Sequence, residues 1–433
     1  MFIYLYFLIF IIGKSYKLMP LKFLLFGSFF ILFQPIYSQS ILLGKVINAE
    51  TKEPLVSASV FLSNTSIGVT TSKNGTFKLS NIPNGKSNLV VSFVGYETFV
   101  KVIESNNLPG ELVIQLRPKT TQLDEVVLEP FEVNGWEKWG QFFLDNFIGT
   151  SSYAKNCELK NKDIIKFRDN KKNSTLEVYA LEPLVIENNS LGYEIQYKLE
   201  EFEYNYKTKL LVYNGYPLFK DRVPENSTKA RRWLEKRKIV YNGSLMHFMR
   251  AFFVNKLETE GFEIRSLSYI PNILKSRALK LLKDSNQLVL KNTIDSFSIE
   301  GQTIRKTTTT IDSTEIFRNA LKQPDSLISR ELISADSIGF AIDSSTAGIY
   351  SKDSIEISYL FKEVPIEYKR LSSKHKFEKI PVSQFTFISK TPVAILSNGY
   401  HYGPHDLKIT GYWAWSETIA TMLPFNYSYP KNE

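Results

Sequence analysis

Between positions 175 and 220 apolar and polar residues alternate with a period of two. Tyr193, Ile195, Tyr197 and Leu199 fall on one side, and Glu194, Gln196, Lys198 and Glu200 on the other. That spacing predicts half-buried strands, because successive side chains of a strand leave opposite faces. Phe202, Tyr204 and Tyr206 resume the alternation one residue out of phase, which predicts a β-bulge near Glu200-Glu201. Asn214-Gly215 reads as a further turn, so an antiparallel sheet of several strands follows.

Shorter apolar runs occupy 41–118, notably 56–62 and 89–94, separated by the turn residues Glu53-Pro54, Asn74-Gly75 and Pro83-Asn84-Gly85. This pattern predicts a small β-sandwich. Asn74-Gly75 suits a primed hairpin turn, so 69–71 is expected to pair with 77–79. Gly95 ends an apolar strand and predicts a bend that a side chain would obstruct.

Elsewhere the period becomes helical. Trp136, Trp139, Phe142, Phe143 and Phe147 form one stripe on a helix of about three turns, ended near Gly149 and expected to pack into the core. Ser227 is a candidate cap for a helix through Lys238, and Ser244 for a second helix carrying Leu245, Phe248, Phe252, Phe253 and Leu257 before Gly261. His247 lies among apolar residues of that second helix and reads as a core histidine. Residues 276–354 are more polar and rich in Asp-Ser pairs, which favours strands with connecting loops, including a flexible stretch near 318–350. Strand-like patterns resume at 355–361, 384–389, 393–396 and 407–413. The fold class is therefore β-rich α+β, with a sandwich followed by a larger antiparallel-sheet domain that holds a few helices.

Before the sandwich, residues 1–38 hold two apolar runs, of which the second follows Lys17 and Lys22 and ends in Tyr37-Ser38-Gln39. This is the layout of a secretory signal peptide, with Met19 a second candidate start. The first run is about 12 residues, short of the roughly 20 a spanning helix needs. No cysteine lies near Gln39, so no lipid anchor is expected at the new N-terminus. The expected organisation is a signal peptide over 1–38, a sandwich over 39–118, a linker over 119–134 and an α+β domain over 135–433.

Several elements of the sandwich carry a family resemblance: Gly44-Lys-Val-Ile47, Pro54-Leu55 with Ala58-Ser-Val60, Gly68-Val-Thr-Thr71, Asn74-Gly-Thr-Phe77 and Ser92-Phe-Val-Gly-Tyr96. They resemble the carboxypeptidase-regulatory-like domain, an Ig/transthyretin-like sandwich common in exported proteins of the Bacteroidetes. The resemblance implies an envelope location, in the periplasm or at the outer membrane, and an accessory module without chemistry of its own. Leu123-Asp-Glu-Val-Val-Leu128 is similar to the segment that follows this sandwich in TonB-dependent receptors. The roughly 300 remaining residues also hold helices, too few for a plug and a large barrel.

Composition narrows the chemistry. Of 433 residues 43% are hydrophobic, enough for a sizeable core, and the net charge of +9 is a modest excess that does not call for nucleic acid in an exported protein. The 14% aromatic content suits amphipathic strands and surfaces that grip a partner. Cys157 is the sole cysteine, so no intramolecular disulfide forms, and its neighbours carry no catalytic signature.

Two sets of residues are candidates for a site. Arg231, Arg232 and Arg237 surround Trp233 on the basic helix and could bind a ligand. His375-Lys-Phe-Glu378 has the H-x-x-E spacing of a zinc carboxypeptidase, and with His401 and His405 offers an alternative metal site. Gly403-Pro404 between the last two histidines breaks the helix that would align them. The preferred expectation is a non-enzymatic envelope protein that binds a protein, peptide or glycan partner without a cofactor. The alternatives are a zinc-dependent hydrolase and an outer-membrane-associated transport accessory.

Overall fold

The computed structural model describes residues 40–119, 130–284, 313–373, 375–403 and 406–429. The expected signal peptide over 1–38, most of the 119–134 linker and His405 lie outside them. Residues Ile41–Glu433 form one compact unit.

The architecture is the β-rich α+β fold expected, and its first seven strands make the sandwich. β1 (Leu42–Asn48), β4 (Thr76–Leu79) and β7 (Leu112–Leu116) form one sheet, with β1 in the centre and parallel to β7. β2 (Ser59–Leu62), β3 (Gly68–Thr70), β5 (Lys86–Ser92) and β6 (Phe99–Glu104) form the other, in the order β3-β2-β5-β6. Leu42, Val46, Val60, Leu62, Leu79, Leu89 and Val91 fill the space between them. The hairpin expected at Asn74-Gly75 does not form. β3 pairs with β2 and β4 with β1, so the turn carries the chain from one sheet to the other. Gly75 alone takes a positive φ there, +73°, whereas a primed turn of the expected type needs two such residues. At Gly95 the reason for glycine is also different. Nothing approaches the position of a Cβ, and the constraint is its φ of +82°.

The larger part begins with α1 (Gly135–Phe147), which lays its aromatic stripe on a six-stranded sheet of β8 (Cys157–Leu159), β9 (Ile165–Asn170), β10 (Thr175–Ala180), β11 (Leu184–Asn188), β12 (Tyr193–Asn205) and β13 (Leu211–Asp221). β12 is the spine: it pairs with β11 and β10 along one edge and with β13 along the other. The bulge lies where the phase slip placed it, between Leu199 and Glu201. Asn214-Gly215 is not a turn but the stretch of β13 opposite that bulge. A side chain at Gly215 would collide with the Lys198 carbonyl and the Tyr197 ring, which explains the glycine without a turn. The aromatic residues are spent in this interior: Phe143 stacks on Phe147 at 4.9 Å, and Phe147 meets Tyr197 edge-on at 5.0 Å.

α2 (Ser227–Tyr241) and α3 (Leu245–Phe253) follow. Asn226, not Ser227, caps α2, and its carboxamide oxygen accepts the Lys229 N–H at 2.8 Å. Ser244 caps α3 as expected, and His247 is a core residue between the rings of Tyr241, Phe262 and Tyr359. Beyond it β14 (Phe262–Pro271), α4 (Ile273–Asp284), α5 (Ser313–Leu321), β15 (Ser326–Ile333), β16 (Gly339–Asp343), β17 (Thr346–Ile349), β18 (Ser354–Tyr359), α6 (Ile366–Lys369), β19 (Val382–Phe387), β20 (Val393–Leu396), β21 (Leu407–Gly411) and α7 (Tyr412–Ser416) complete the chain. They form a five-stranded sheet, β15-β14-β18-β19-β21, and a three-stranded one, β16-β17-β20. The stretch near 318–350 is thus regular structure rather than a flexible loop. Its Asp-Ser pairs sit at the turns, as where Asp343 accepts the Ser345 N–H at 2.8 Å.

The sandwich is fastened to the rest by its 63–66 loop. Asn64 N–H donates to the Pro217 carbonyl (2.8 Å), Phe219 N–H to the Thr65 carbonyl (2.9 Å), and Asn426 Nδ2 to Ser66 Oγ (2.7 Å). Phe61, Val90 and Leu218 bury one another beside it, and Lys86 pairs with Asp343 at 2.7 Å. Replacing Leu218 by Ala should cost about 2 to 3 kcal/mol in denaturant unfolding, because it empties the apolar centre of this contact. A loss below about 0.5 kcal/mol would show that the sandwich is held by its hydrogen bonds alone.

Candidate functional site

The segment 412–425 threads between two cores. Tyr412 and Trp413 belong to the core of the five-stranded sheet, and Ile419, Ala420 and Leu423 to that of the β12 sheet. Local bonds hold the crossing in place. Trp413 N–H donates to Ser383 Oγ (3.0 Å), its indole N–H to the Gly243 carbonyl (2.8 Å), and Asn188 Nδ2 to the Ala420 carbonyl (2.9 Å). Thr418 and Thr421 close a reciprocal capping box around 419–421. Glu417 lies between the two anchored halves. It is the single charged residue from Tyr412 to Phe425.

Two chambers meet at Glu417. One, of about 260 Å³, is walled by Tyr197, Tyr213, Tyr216, Tyr400, Met422 and Phe425, with Ser63 and Asn64 of the sandwich loop and His401 completing it. The other, of about 250 Å³, is lined by Ser151, Tyr153, Lys362, Tyr412, Trp415 and Ser416. Ser244, Glu417 and Thr421 belong to both, so Glu417 stands at the waist between the two chambers, and it also borders a wider hollow of about 1050 Å³. In the second chamber the hydroxyls of Ser151 and Ser416 are buried without a protein partner. Such groups are met by ordered water or by a ligand.

The electrostatics of the cleft are set by burial. Glu417 Oε1 accepts the Leu245 N–H at 3.0 Å, and the Lys362 ammonium favours its charge, yet burial outweighs both and pushes the carboxyl up to about 7. Lys362 is held down by burial while its ammonium donates to the carbonyls of Ile239 (3.2 Å) and Asn242 (3.3 Å) at the end of α2. Burial lowers His401 to about 4, so its ring is neutral at physiological pH. The cleft at neutral pH therefore offers a neutral imidazole, phenol rings and a carboxyl poised between donor and acceptor.

The other candidate residues lie elsewhere. On α2, Arg231 and Arg232 are exposed, and Arg232 borders a shallow hollow with Trp233. Trp233 is buried and donates its indole N–H to the Asn189 carbonyl at 3.0 Å. Arg237 donates to the carbonyls of Leu191 (2.7 Å) and Gly192 (3.2 Å), pairs with Asp221 at 2.9 Å and lies 3.7 Å over the Tyr193 ring. Two of the four thus serve the β11–β12 turn, and two face solvent. His375 Nδ1 bonds Glu378 Oε1 at 2.8 Å, and its ring lies 4.2 Å from that of Tyr368, tilted by 33°. His375 borders a different cavity from His401. Among the described residues no three His, Cys, Asp or Glu side chains cluster closely enough to hold a metal ion. Cys157 is half-buried, and burial pushes its thiol up to about 12.

Glu417 was not among the residues singled out in the sequence. The available signal was a lone carboxylate in the aromatic stretch Tyr412-Trp-Ala-Trp-Ser-Glu417, since an acid in an apolar run must be solvated, paired or functional.

Comparisons with known proteins bear on the first domain. Residues 42–128 match the family model of the CarboxypepD_reg-like domain. No curated protein matches the chain. Among solved structures, a protein of unknown function from Bacteroides fragilis, for which membrane association was suggested, is 10% identical over 86% of this chain and 97% of that one. The TM-score is 0.15, too low for the likeness to carry an argument. Among the described residues no helix is long and apolar enough to cross a membrane.

Two measurements probe these assignments. Glu417 binds its proton more tightly when folded than the unfolded value of about 4.3 would give, so its stabilisation is full below that pH and is lost as pH rises through about 7. Glu417→Gln retains an acceptor for Leu245 and removes the titration. Its stability relative to wild type should therefore rise by roughly 1 to 3 kcal/mol between about pH 5 and pH 8 in paired denaturation curves. A difference that stays constant over that range refutes the shifted carboxyl. On α2, Arg237→Ala should destabilise by about 1 to 3 kcal/mol, leaving the buried Leu191 carbonyl unpaired, whereas Arg231→Ala should change stability by less than about 0.5 kcal/mol. Equal effects at the two positions would contradict the division of roles.

Proposed function

We propose that this chain is a non-catalytic, exported protein of the cell envelope that recognises a peptide side chain or a sugar ring in the cleft around Glu417. The sandwich of the carboxypeptidase-regulatory-like type supports the accessory character of the N-terminal part. The observation that carries the recognition role is the cleft itself, which lies where the sandwich loop, β13 and the 412–425 segment meet. Binding sites favour such junctions, because several elements can each present a few polar groups around an apolar hollow.

The lining suits this class of partner. Tyr213, Tyr216 and Tyr400, each half-buried, offer apolar faces with one polar edge on which a sugar ring or an aromatic or aliphatic side chain can stack. Tyr400 is held by Asn88 Nδ2, which donates to its hydroxyl at 2.9 Å, so this ring is positioned before a ligand arrives. Preorganisation of this kind lowers the entropic cost of binding. The Glu417 carboxyl, poised near neutrality, can accept or donate a hydrogen bond at the waist. Export through a leader over 1–38 and residence in the periplasm or at the outer membrane belong to the same reading.

Saturation-transfer NMR on the purified chain, with a set of short defined peptides and a set of defined oligosaccharides, tests this role. One set should receive transfer from the protein, and Tyr216→Ala should weaken its binding about tenfold, near 1.4 kcal/mol. Absence of transfer to both sets, or transfer unchanged in Tyr216→Ala and Glu417→Gln alike, would refute recognition in this cleft.

A further inference from the structure

β15 pairs along its length with β14 from Ile264 to Pro271, but β18 supports β14 only as far as Leu267. Beyond that point Ser268–Pro271 and Ser326–Ser329 run on as a two-stranded ribbon. On one face of it Tyr269 stands opposite Ile328, and on the other Ile270 stands opposite Leu327. All four are exposed, Tyr269 by 72%. At the tip, α4 adds Ile273 and Leu274, exposed by 76% and 52%.

The ribbon's end is a built feature. Asn272 is buried, accepts the Lys275 N–H at 3.1 Å to cap α4, and donates to Gln323 Oε1 (3.0 Å) and the Pro324 carbonyl (3.2 Å). Its own N–H donates to the Asp325 carbonyl at 2.8 Å. A two-stranded ribbon is marginal in water, and one with large apolar pairs on both faces invites association unless its surroundings are apolar too.

Charge identifies those surroundings. Arg277 and Lys280 on α4 and Arg318 and Lys322 on and just after α5 are exposed, and on the same elements the acidic residues are Asp284 at the end of α4, Glu315, Asp325, which pairs with Lys275 at 2.8 Å, and Glu331 on β15, so the basic residues remain in excess. Cations interleaved with large apolar side chains and a tyrosine are the composition of an element that lies in the interface of an anionic bilayer. A flat protein surface can cover one face of a ribbon, whereas a lipid phase can surround both. We propose that the β14–β15 ribbon and α4 insert shallowly into an anionic lipid surface, with Tyr269, Ile270, Leu327 and Ile328 among the acyl chains and the arginines and lysines at the headgroups. This docking is independent of ligand recognition in the cleft.

Flotation of the purified chain with two kinds of vesicle tests it: pure phosphatidylcholine, and phosphatidylcholine with about a third phosphatidylglycerol. The chain should float with the anionic vesicles alone, and less so when salt is raised to about 0.5 M. Ile270→Ser with Leu327→Ser should reduce binding at least about tenfold, as should Arg277→Glu with Lys280→Glu, circular dichroism showing each variant folded. If the serine pair unfolds, the Tyr269→Trp variant supplies the measurement: the emission of its introduced indole should shift to the blue with anionic vesicles and be quenched by lipids brominated on the acyl chains. Equal flotation with neutral vesicles, unchanged binding in both double variants, or an indole emission in Tyr269→Trp that the brominated lipids leave unquenched overturns the proposal. So does self-association that the serine pair abolishes and vesicles do not compete with, since a second copy would then be the occupant.

Discussion

Everything placed around the cleft depends on a few main-chain hydrogen bonds made by the loop at 63–66. A sandwich of the carboxypeptidase-regulatory type could hang from a linker as a separate bead. Here its loop adds to the edge of β13 through the Asn64 and Thr65 backbone, and Phe425 N–H donates to the Asn64 carbonyl from the other side. Main-chain bonds in such a place leave little freedom of rotation, because each is directional and several must be satisfied at once. Ser63 and Asn64 thereby become wall residues of the cleft, and the N-terminal part enters the site. Gly68 belongs to the same arrangement, since a side chain there would meet Phe61 and Leu218.

The same economy of contacts accounts for the basic and aromatic character of the chain. Arg237 looks like part of a cationic patch when only its neighbours in sequence are considered. In the fold its guanidinium closes the β11–β12 turn, giving the Leu191 carbonyl its partner, adding a second donor to the Gly192 carbonyl that Arg222 N–H already meets, and lying 3.7 Å over the Tyr193 ring. A lysine offers no such planar fork, so the choice of arginine follows from the geometry of the turn. Trp233 has a similar task, and its indole packs where a side chain at Gly192 would stand. Most of the phenylalanines between 142 and 202 are likewise committed to one another beneath α1. Aromatic content that could have signified a gripping surface is thus largely internal, and the half-buried tyrosines that line the cleft are a smaller set.

How much of this was legible in the sequence follows from the range of each signal. The bulge at Leu199–Glu201, the helix under the Trp136–Phe147 stripe and the cap at Ser244 could be read because periodicity and capping are local. The two misread Asn-Gly pairs show the limit of local rules. Asn74-Gly75 does turn the chain, but which strands it joins is decided by how the two sheets share the core. Gly215 is glycine because Tyr197, some eighteen positions away, needs the space. The site was harder still. Glu417, His401, Tyr213 and Ser63 have no common spacing, and only the crossing of the two cores brings them to one cleft.

A carboxyl at that crossing needs a physical reason, since an apolar residue of similar size would pack there without the penalty of burying a charge. Its hydrogen bond from Leu245 and the nearby Lys362 ammonium do not overcome that penalty, as its raised pKa shows. The carboxyl does meet the Leu245 N–H, a donor that the start of α3 leaves without a helical partner, while the capping box, the Asn188 bond and the Trp413 bond fix the segment on both sides. The buried hydroxyls of Ser151 and Ser416 in the adjoining chamber are also left without protein partners. Two such hydroxyls beside a carboxyl of raised pKa are the groups that a ligand would complete under the proposed recognition role, whereas the Trp139 indole N–H, Glu378 Oε2 and the Tyr427 hydroxyl, also without partners, lie outside this chamber.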